Sequence, residues 1–144
     1  MKIELHLDEN CGEVKVDVTA PAVTEEVRAL LSALEGAGTV TGFREGLAAP
    51  LETAEILSFR TDGDRILART MEGDYAVRAR LGELETRLNS RRFVRVSQSE
   101  IVNLKRVKSL DLSLTGTIRM TLADGSVSYV SRRSVKKIKE ALGI

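Results

Sequence analysis

Cysteine and histidine are almost absent from this chain of 144 residues, and this shortage excludes several kinds of site. A single cysteine, Cys11, cannot form an internal disulfide, and with a single histidine, His6, it cannot supply a Cys/His zinc site. A serine or cysteine nucleophile also usually needs a nearby imidazole base. We therefore expect no metal, no cofactor, no small-molecule substrate and no enzymatic activity. The carboxylates are numerous but scattered, so their number alone does not exclude a catalytic acid/base pair.

Long apolar runs are missing as well. No stretch of about 18 apolar residues could span a bilayer, and the opening MKIELHLDENCG lacks the basic-then-apolar pattern of a signal peptide. We therefore expect a cytoplasmic protein. With 42% hydrophobic and 30% charged residues, the chain fits one folded domain with at most a small appendage.

The net charge of +1 hides an asymmetry along the chain. Residues 1–45 carry four basic and nine acidic side chains, whereas residues 91–144 carry twelve basic and four acidic ones. Such a basic block is typical of a surface that meets phosphates, whether of nucleic acid or of anionic lipid. A merely solvated basic face would give the same count.

The first 42 residues predict a small ββα unit. Apolar and polar residues alternate over 3–7 and again over 14–18, which predicts two strands joined at residues 8–12. Thr24 can cap a helix that stops at Gly36, with an apolar stripe formed by Val27, Leu30, Leu31 and Leu34. Because this unit is too small to bury much alone, we expect residues 1–42 to mediate homodimerisation or to meet a regulatory partner.

Residues 43–144 predict a mainly β (α+β) domain. Short apolar runs alternate with turn residues, and three turns carry Asp62-Gly63, Glu72-Gly73 and Asp124-Gly125. Leucines at helical spacing follow the third strand. Ser131 can cap a final helix, whose predicted buried stripe is Val135, Ile138 and Leu142.

The start of that final helix carries an unusual charge pattern. Arg132 and Arg133 occupy its predicted first turn, where the helix dipole disfavours cations. The arrangement suits an anion, because backbone amides, two guanidinium groups and Lys136 could hold a phosphate or read a guanine edge. Lys137 and Lys139 would extend the same field. A solubilising basic helix is the alternative.

A second candidate lies in RVSQSEIVNLKR, where Ser97, Gln98 and Ser99 interrupt apolar runs. Gln98 can donate and accept at once, as the N6/N7 edge of adenine requires. Asn103 is predicted to be a structural turn residue. Phosphate contacts are predicted for three further basic residues, Lys105, Arg106 and Lys108. Duplex DNA is favoured, because the five aromatic residues lie at strand-like positions and form no stacking surface for single strands or membrane anchor.

The same stretches resemble the LytTR family of bacterial DNA-binding domains. The resemblance rests on RRFVRVSQSEIVNLKRVKSL, with its phenylalanine-x-arginine strand and polar turn, and on the later serine-arginine of GSVSYVSRRSVKKIKEAL. ILSFRTDGDRILARTMEGDYAVRARLGELETRL resembles the first half of the family, so the match covers about residues 45–144. It implies a stack of small antiparallel sheets with short helices that contacts duplex DNA largely through loops.

Carried over residue by residue, the resemblance implies base reading by Gln98 and Arg133, with a weaker contact from the loop that holds Asp64 and Arg65. Ser97 and Glu100 depart from residues common in the family, which implies a different sequence preference. The short segment before the match cannot hold a phosphoacceptor receiver domain. The resemblance therefore implies a stand-alone transcriptional regulator, in some systems controlled by a small membrane protein. The alternative is a non-enzymatic interaction module whose basic face binds an acidic partner.

Overall fold

The computed structural model describes residues 1–36, 38–88, 90 and 92–144. Three short 3-10 turns, at Thr53–Glu55, Leu104–Arg106 and Arg132–Ser134, connect the regular elements. The helices and strands are α1 (Glu25–Gly36), β1 (Thr39–Arg44), β2 (Leu47–Glu52), β3 (Ser58–Asp62), β4 (Arg65–Thr70), β5 (Gly73–Val77), α2 (Leu81–Arg87), β6 (Phe93–Ser97), β7 (Glu100–Asn103), β8 (Val107–Asp111), β9 (Ile118–Leu122), β10 (Val127–Val130) and α3 (Val135–Leu142).

The strands form two antiparallel sheets, as the mainly β prediction requires. Seven strands are ordered β2-β1-β5-β4-β3-β7-β6, and three are ordered β10-β9-β8. The predicted hairpin at Asp62-Gly63 is confirmed, since Asp62 pairs with Arg65 across a two-residue loop. Gly63 has a φ of 62°, which a residue with a side chain rarely adopts.

Two hydrophobic cores pack the helices α2 and α3 onto the sheets. In the first, α2 contributes Leu84 to a cluster with Phe59 and Ile101 of the large sheet. In the second, Ile138 of α3 packs with Val96 of β6 and Met120 of β9. The predicted stripe of the final helix is therefore confirmed at Ile138, which is fully buried. This second core attaches α3 to β6 and so fixes the position of the basic C-terminal segment.

The two strands predicted within residues 1–18 are absent. The described chain makes a turn there, in which the Cys11 amide donates to the Asp8 carbonyl at 3.1 Å, but residues 1–23 form no strand. A strand needs a hydrogen-bonded partner, and an isolated two-stranded hairpin is only marginally stable. Alternation alone therefore predicted the extended backbone and not the missing partner. The helix was predicted correctly, and the Thr24 hydroxyl accepts from the Val27 amide at 3.3 Å.

Two predicted boundaries also need correction. Strand β1 begins at Thr39, so a boundary after residue 42 would divide a strand of the large sheet. The final helix is preceded by the 3-10 turn Arg132–Ser134, and α3 itself begins at Val135. The Ser131 hydroxyl donates to the Ser134 hydroxyl at 3.0 Å and does not cap the helix. Arg132 and Arg133 therefore stand before the helix, on a tight turn.

Candidate nucleic-acid interface

Three connections lie together at one end of the sheets. Antiparallel register places Glu100 opposite both Arg60 and Ser97, so the β3–β4 hairpin and the β6–β7 turn end side by side. The Thr61 amide donates to the Ser99 carbonyl at 2.9 Å, and the Ser131 amide donates to the Val96 carbonyl at 2.8 Å. We call this region the loop end; it comprises residues 62–65, 97–99 and 131–134.

The β6–β7 turn is held in place by Arg95. Its Nε donates to the Ser97 carbonyl at 2.9 Å and its Nη2 to the Gln98 carbonyl at 2.6 Å. Its Nη1 donates to the Glu85 carboxylate of α2 at 2.8 Å. The guanidinium group thus ties the turn backbone to a helix of the first core. Gln98 itself is exposed, so its amide is presented to solvent from a fixed backbone.

Ser97 serves the turn internally. Its hydroxyl accepts from the Ser99 amide at 3.2 Å and lies 3.3 Å from the Ser99 hydroxyl. Side-chain bonds of this kind stabilise a turn in place of ladder bonds. Of the two predicted contacts in this turn, only Gln98 is turned fully to solvent.

The second part of the loop end is the turn before α3. Arg133 is exposed on this turn, and Lys136 and Lys137 are exposed in the first turn of α3 next to it, as the charge pattern predicted. Arg132 packs its guanidinium group on the β8–β9 connection, because a Cβ atom on Gly116 would lie 3.2 Å from both Nε and Nη2 of Arg132. The two arginines therefore have different surroundings, and the Arg133 side chain forms no hydrogen bond or ion pair with a described residue.

The β3–β4 hairpin contributes Asp64 and Arg65 to the loop end. Arg65 pairs with Asp62 at 2.9 Å, and both side chains are mostly exposed. Beside the hairpin lies an open groove of about 560 Å³, which Arg65 lines together with Arg78 and Arg80. Arg78 also stacks over the Phe43 ring at 4.1 Å. Sequence reasoning missed Arg78 and Arg80, because only the register of β4 with β5 brings them beside the hairpin.

The structure does not bring Lys105, Arg106 and Lys108 to the loop end. Strand β7 runs away from the loop end, and these residues follow it, about 10 Å or more from the β6–β7 turn. Arg106 is half-buried, and its Nε donates to the Ala54 carbonyl at 2.9 Å. DNA contact by these three residues stays a prediction that the interface proposed below does not include, and Arg106 has a structural role.

Asn103 is structural, as predicted. It is fully buried at the end of β7, where its Nδ2 donates to the Ile56 carbonyl at 2.8 Å. Its Oδ1 accepts from the Lys105 amide at 3.0 Å, which begins the 3-10 turn. The amide is thus occupied on both sides and is not available to a base.

Glu100 is the acidic side chain nearest the β6–β7 turn. It is half-buried, and burial raises the pKa of its carboxyl above the ordinary value, although the Ser128 hydroxyl donates to Oε2 at 3.0 Å and opposes the rise. When it is ionised, this carboxylate works against an approaching phosphate. It also links β7 to β10, and so joins the two sheets next to the loop end.

A loop surface of exposed amide and guanidinium groups can bind a polyanion and discriminate base edges. The LytTr DNA-binding domain family matches residues 48–143. The chain belongs to the LytTR family. Over its full length it is 33% identical to an HTH-type transcriptional regulator of Staphylococcus aureus strain NCTC 8325, with 100% of this chain and 99% of the relative aligned. The homologous regulator of strain MSSA476 is 32% identical over the same shares.

The fold of this LytTR chain also matches a solved structure. The LytTr DNA-binding domain of a methyl-accepting/DNA response regulator from Bacillus cereus superposes with a TM-score of 0.71 at 20% identity, covering 74% of this chain and 98% of that one. The relatives' name refers to a helix-turn-helix. In the described part of this chain, however, no two α-helices are joined by a short turn, and five strands separate α2 from α3. No helix among the described residues is long and apolar enough to cross a membrane.

Proposed function

We propose that this protein is a non-enzymatic transcriptional regulator that binds duplex DNA sequence-specifically through its loop end. The observation that carries the proposal is the convergence of three connections on one side of the molecule. Two main-chain hydrogen bonds, from Thr61 to Ser99 and from Ser131 to Val96, fix their relative positions. A fixed backbone supports specificity, because a base-reading group must be held in place before it can discriminate.

The dimensions of the loop end suit a DNA groove. Neighbouring strands lie about 4.8 Å apart, so the step from the β3–β4 hairpin across β7 to β6 covers roughly 10–15 Å. The major groove of B-DNA is about 12 Å wide and shows a distinct donor and acceptor pattern for each base pair. The β6–β7 turn can enter such a groove while its neighbours follow the flanking backbones.

Each part of the loop end has its own proposed role. Gln98 presents an amide suited to adenine, and Arg133 presents a guanidinium group suited to guanine. Lys136 and Lys137 lie in the first turn of α3 and supply phosphate contacts. Arg132, held against Gly116, positions the backbone next to Arg133.

The groove beside the hairpin extends this surface. Arg65 is partly neutralised by Asp62, whereas Arg80 is exposed with no ion pair to a described residue. We assign Arg78 and Arg80 to the sugar-phosphate backbone, because Arg78 is already stacked on Phe43 and cannot turn freely toward a base. These contacts add affinity without adding sequence information.

The test begins with selection of bound sites from random duplexes, followed by titration of the selected and a scrambled duplex. Gln98→Ala should cost about 1–3 kcal/mol on the selected duplex and much less on the scrambled one, since a bidentate base contact is lost while the phosphate contacts remain. Lys105→Ala, beyond the other end of β7, is the matched control and should leave the ratio of the two affinities unchanged. Enrichment of no sequence, with equal binding to heparin and DNA, would instead support a module that binds acidic partners.

A further inference from the structure

Most of the exposed large hydrophobic side chains among the described residues lie in residues 1–34. Of the seventeen exposed large hydrophobic side chains among the described residues, ten belong to this segment. Leu5 is 82% exposed and Val14 is 95% exposed. A monomer rarely leaves so many aliphatic side chains in water without a partner for them. The ten are Met1, Ile3, Leu5, Leu7, Val14, Val16, Val18, Val23, Leu31 and Leu34.

Residues 2–6 and 15–17 form no strand, but their side chains are already sorted onto a charged and an apolar side of the backbone. Lys2 pairs with Glu4 at 3.0 Å, and His6 lies 3.6 Å from Glu4. Lys15 pairs with Asp17 at 3.8 Å. Contacts between residues two apart place the charged side chains on one side of an extended backbone. The aliphatic side chains between them then share the other side.

The turn between the two halves defines a register. Because the Cys11 amide donates to the Asp8 carbonyl, continuing the hairpin would place residues 5 and 14 opposite each other. In that register Glu4 faces Lys15, and Lys2 faces Asp17. Every charged pair therefore has opposite signs, which favours the hairpin once something covers its apolar face.

We propose that the partner is a second copy of this chain, joined through residues 2–8 in an antiparallel pairing centred on Leu5. In this register Leu5 faces Leu5 of the second copy, and Ile3 faces its Leu7. On the charged side Lys2 faces Asp8 of the second copy, and Glu4 faces its His6. The result is a four-stranded sheet with an apolar face built from both chains. It is independent of how the loop end reads DNA.

Charge complementarity selects this register and a copy of the same chain. A shift centred on Glu4 would place Glu4 opposite itself and Lys2 opposite His6. A shift centred on His6 would place Glu4 opposite Asp8. Both shifts keep the apolar residues on one face but bring like charges together, which destabilises a sheet. A register centred on Ile3 places Lys2 opposite Glu4 but joins only residues 1–5. The register centred on Leu5 joins residues 2–8, pairs Lys2 with Asp8 and brings no like charges together, as a two-fold, self-complementary interface requires.

Disulfide trapping in the full-length chain tests the register. In a Cys11→Ser background, Leu5→Cys places two thiols directly opposite each other, about 4.5–5.5 Å apart at Cβ, close to the spacing that a disulfide needs. Mild oxidation should yield a covalent dimer. The control is Glu4→Cys in the same background, which faces position 6 of the second copy and should yield little. Equal trapping of the two variants, or trapping only by Val16→Cys on the outer strand, would overturn the proposal.

Sedimentation equilibrium of the full chain provides an independent readout. The unmodified protein should be dimeric, and Leu5→Asp should raise its dimer dissociation constant at least about tenfold, because two carboxylates would meet on the two-fold axis. Leu47→Asp is the matched control, since Leu47 is a 72% exposed leucine on β2, outside the segment, and should leave the dimer intact. A monomeric unmodified protein, or equal weakening by both variants, would contradict the proposal even if the trapping variants misfold.

Discussion

The two ends of β7 carry similar side chains and use them in opposite ways. At the carboxyl end Asn103 donates to the Ile56 carbonyl, and just beyond it Arg106 donates to the Ala54 carbonyl. At the loop end, Arg95 takes over the structural bonding, which leaves Gln98 exposed. An amide or a guanidinium group can therefore be a structural residue or a base reader, and the difference lies in whether the fold supplies it with a partner.

The largest effect should come from breaking the structural end. Asn103→Ala leaves the Ile56 carbonyl and the Lys105 amide without their partner in a buried place, so we expect a loss of about 2–3 kcal/mol in the free energy of unfolding. Urea denaturation measures it. Specificity for the selected duplex should survive at a temperature where the variant is folded. A loss below about 0.5 kcal/mol would show that the amide is not structural.

Arg95→Ala should have the next largest effect, and it should act on specificity. Loss of three hydrogen bonds frees the carbonyls of Ser97 and Gln98, so the selected duplex should bind about 1–2 kcal/mol more weakly. Glu85→Gln removes only the ion pair to Arg95. Comparing the two variants therefore separates the effect of the bonds to the turn backbone from the effect of the link to α2. Weakening of the selected and scrambled duplexes by one common factor would mean that Arg95 contacts phosphate.

The salt dependence of DNA affinity in Lys137→Ala tests the difference between the two ends of β7. If Lys137 neutralises one phosphate, the slope of log affinity against log salt should fall by roughly one unit on any duplex. Lys105→Ala at the other end of β7 should leave the slope unchanged. Titration of both variants at several salt concentrations measures the two slopes. A fall in slope for Lys105→Ala would show that the DNA interface includes both ends of β7.

The smallest effect concerns Glu100. Because burial raises the pKa of its carboxyl in the folded protein, folding is favoured most below the ordinary pKa, and that contribution is lost as the pH rises through the raised value. Glu100→Gln should therefore be more stable than the unmodified protein at neutral pH, by roughly 0.5–1 kcal/mol in the free energy of unfolding. The difference should vanish near pH 4. A stability difference that persists near pH 4 would come from the hydrogen bond with Ser128 and not from the ionisation of Glu100.

Sequence reasoning found the individual turns better than their arrangement. Polar residues that interrupt apolar runs predicted an exposed turn at Gln98, and the serine-arginine pair predicted a basic turn at Arg133; both side chains are exposed, and base reading by them stays a prediction. Their convergence depends on the pairing of β3, β7 and β6, which no local pattern contains. Lys105 and Lys108 were grouped with them because charge along the chain does not show which end of a strand a residue occupies. Arg80 was missed for the same reason.

In the N-terminal segment the local pattern was predicted correctly, but the strand pairing was not. Alternation over residues 3–7 and 14–18 described the faces of the backbone correctly, as the ion pair between Lys2 and Glu4 shows. It could not show whether a partner strand exists within one chain. Pairing is a property of two segments, so a pattern in one of them predicts a strand only where the fold supplies the other.

Base-resolved specificity tests the central claim most directly. Sites selected from random duplexes by the unmodified protein would be compared with sites selected by Gln98→Ala, Arg133→Ala and Lys105→Ala. We predict that Gln98→Ala relaxes preference at one adenine and Arg133→Ala at one guanine, a few base pairs apart, while Lys105→Ala selects the original site. If Arg133→Ala and Gln98→Ala select the unchanged site with uniformly weaker binding, the loop end only anchors phosphates and the sequence is read elsewhere.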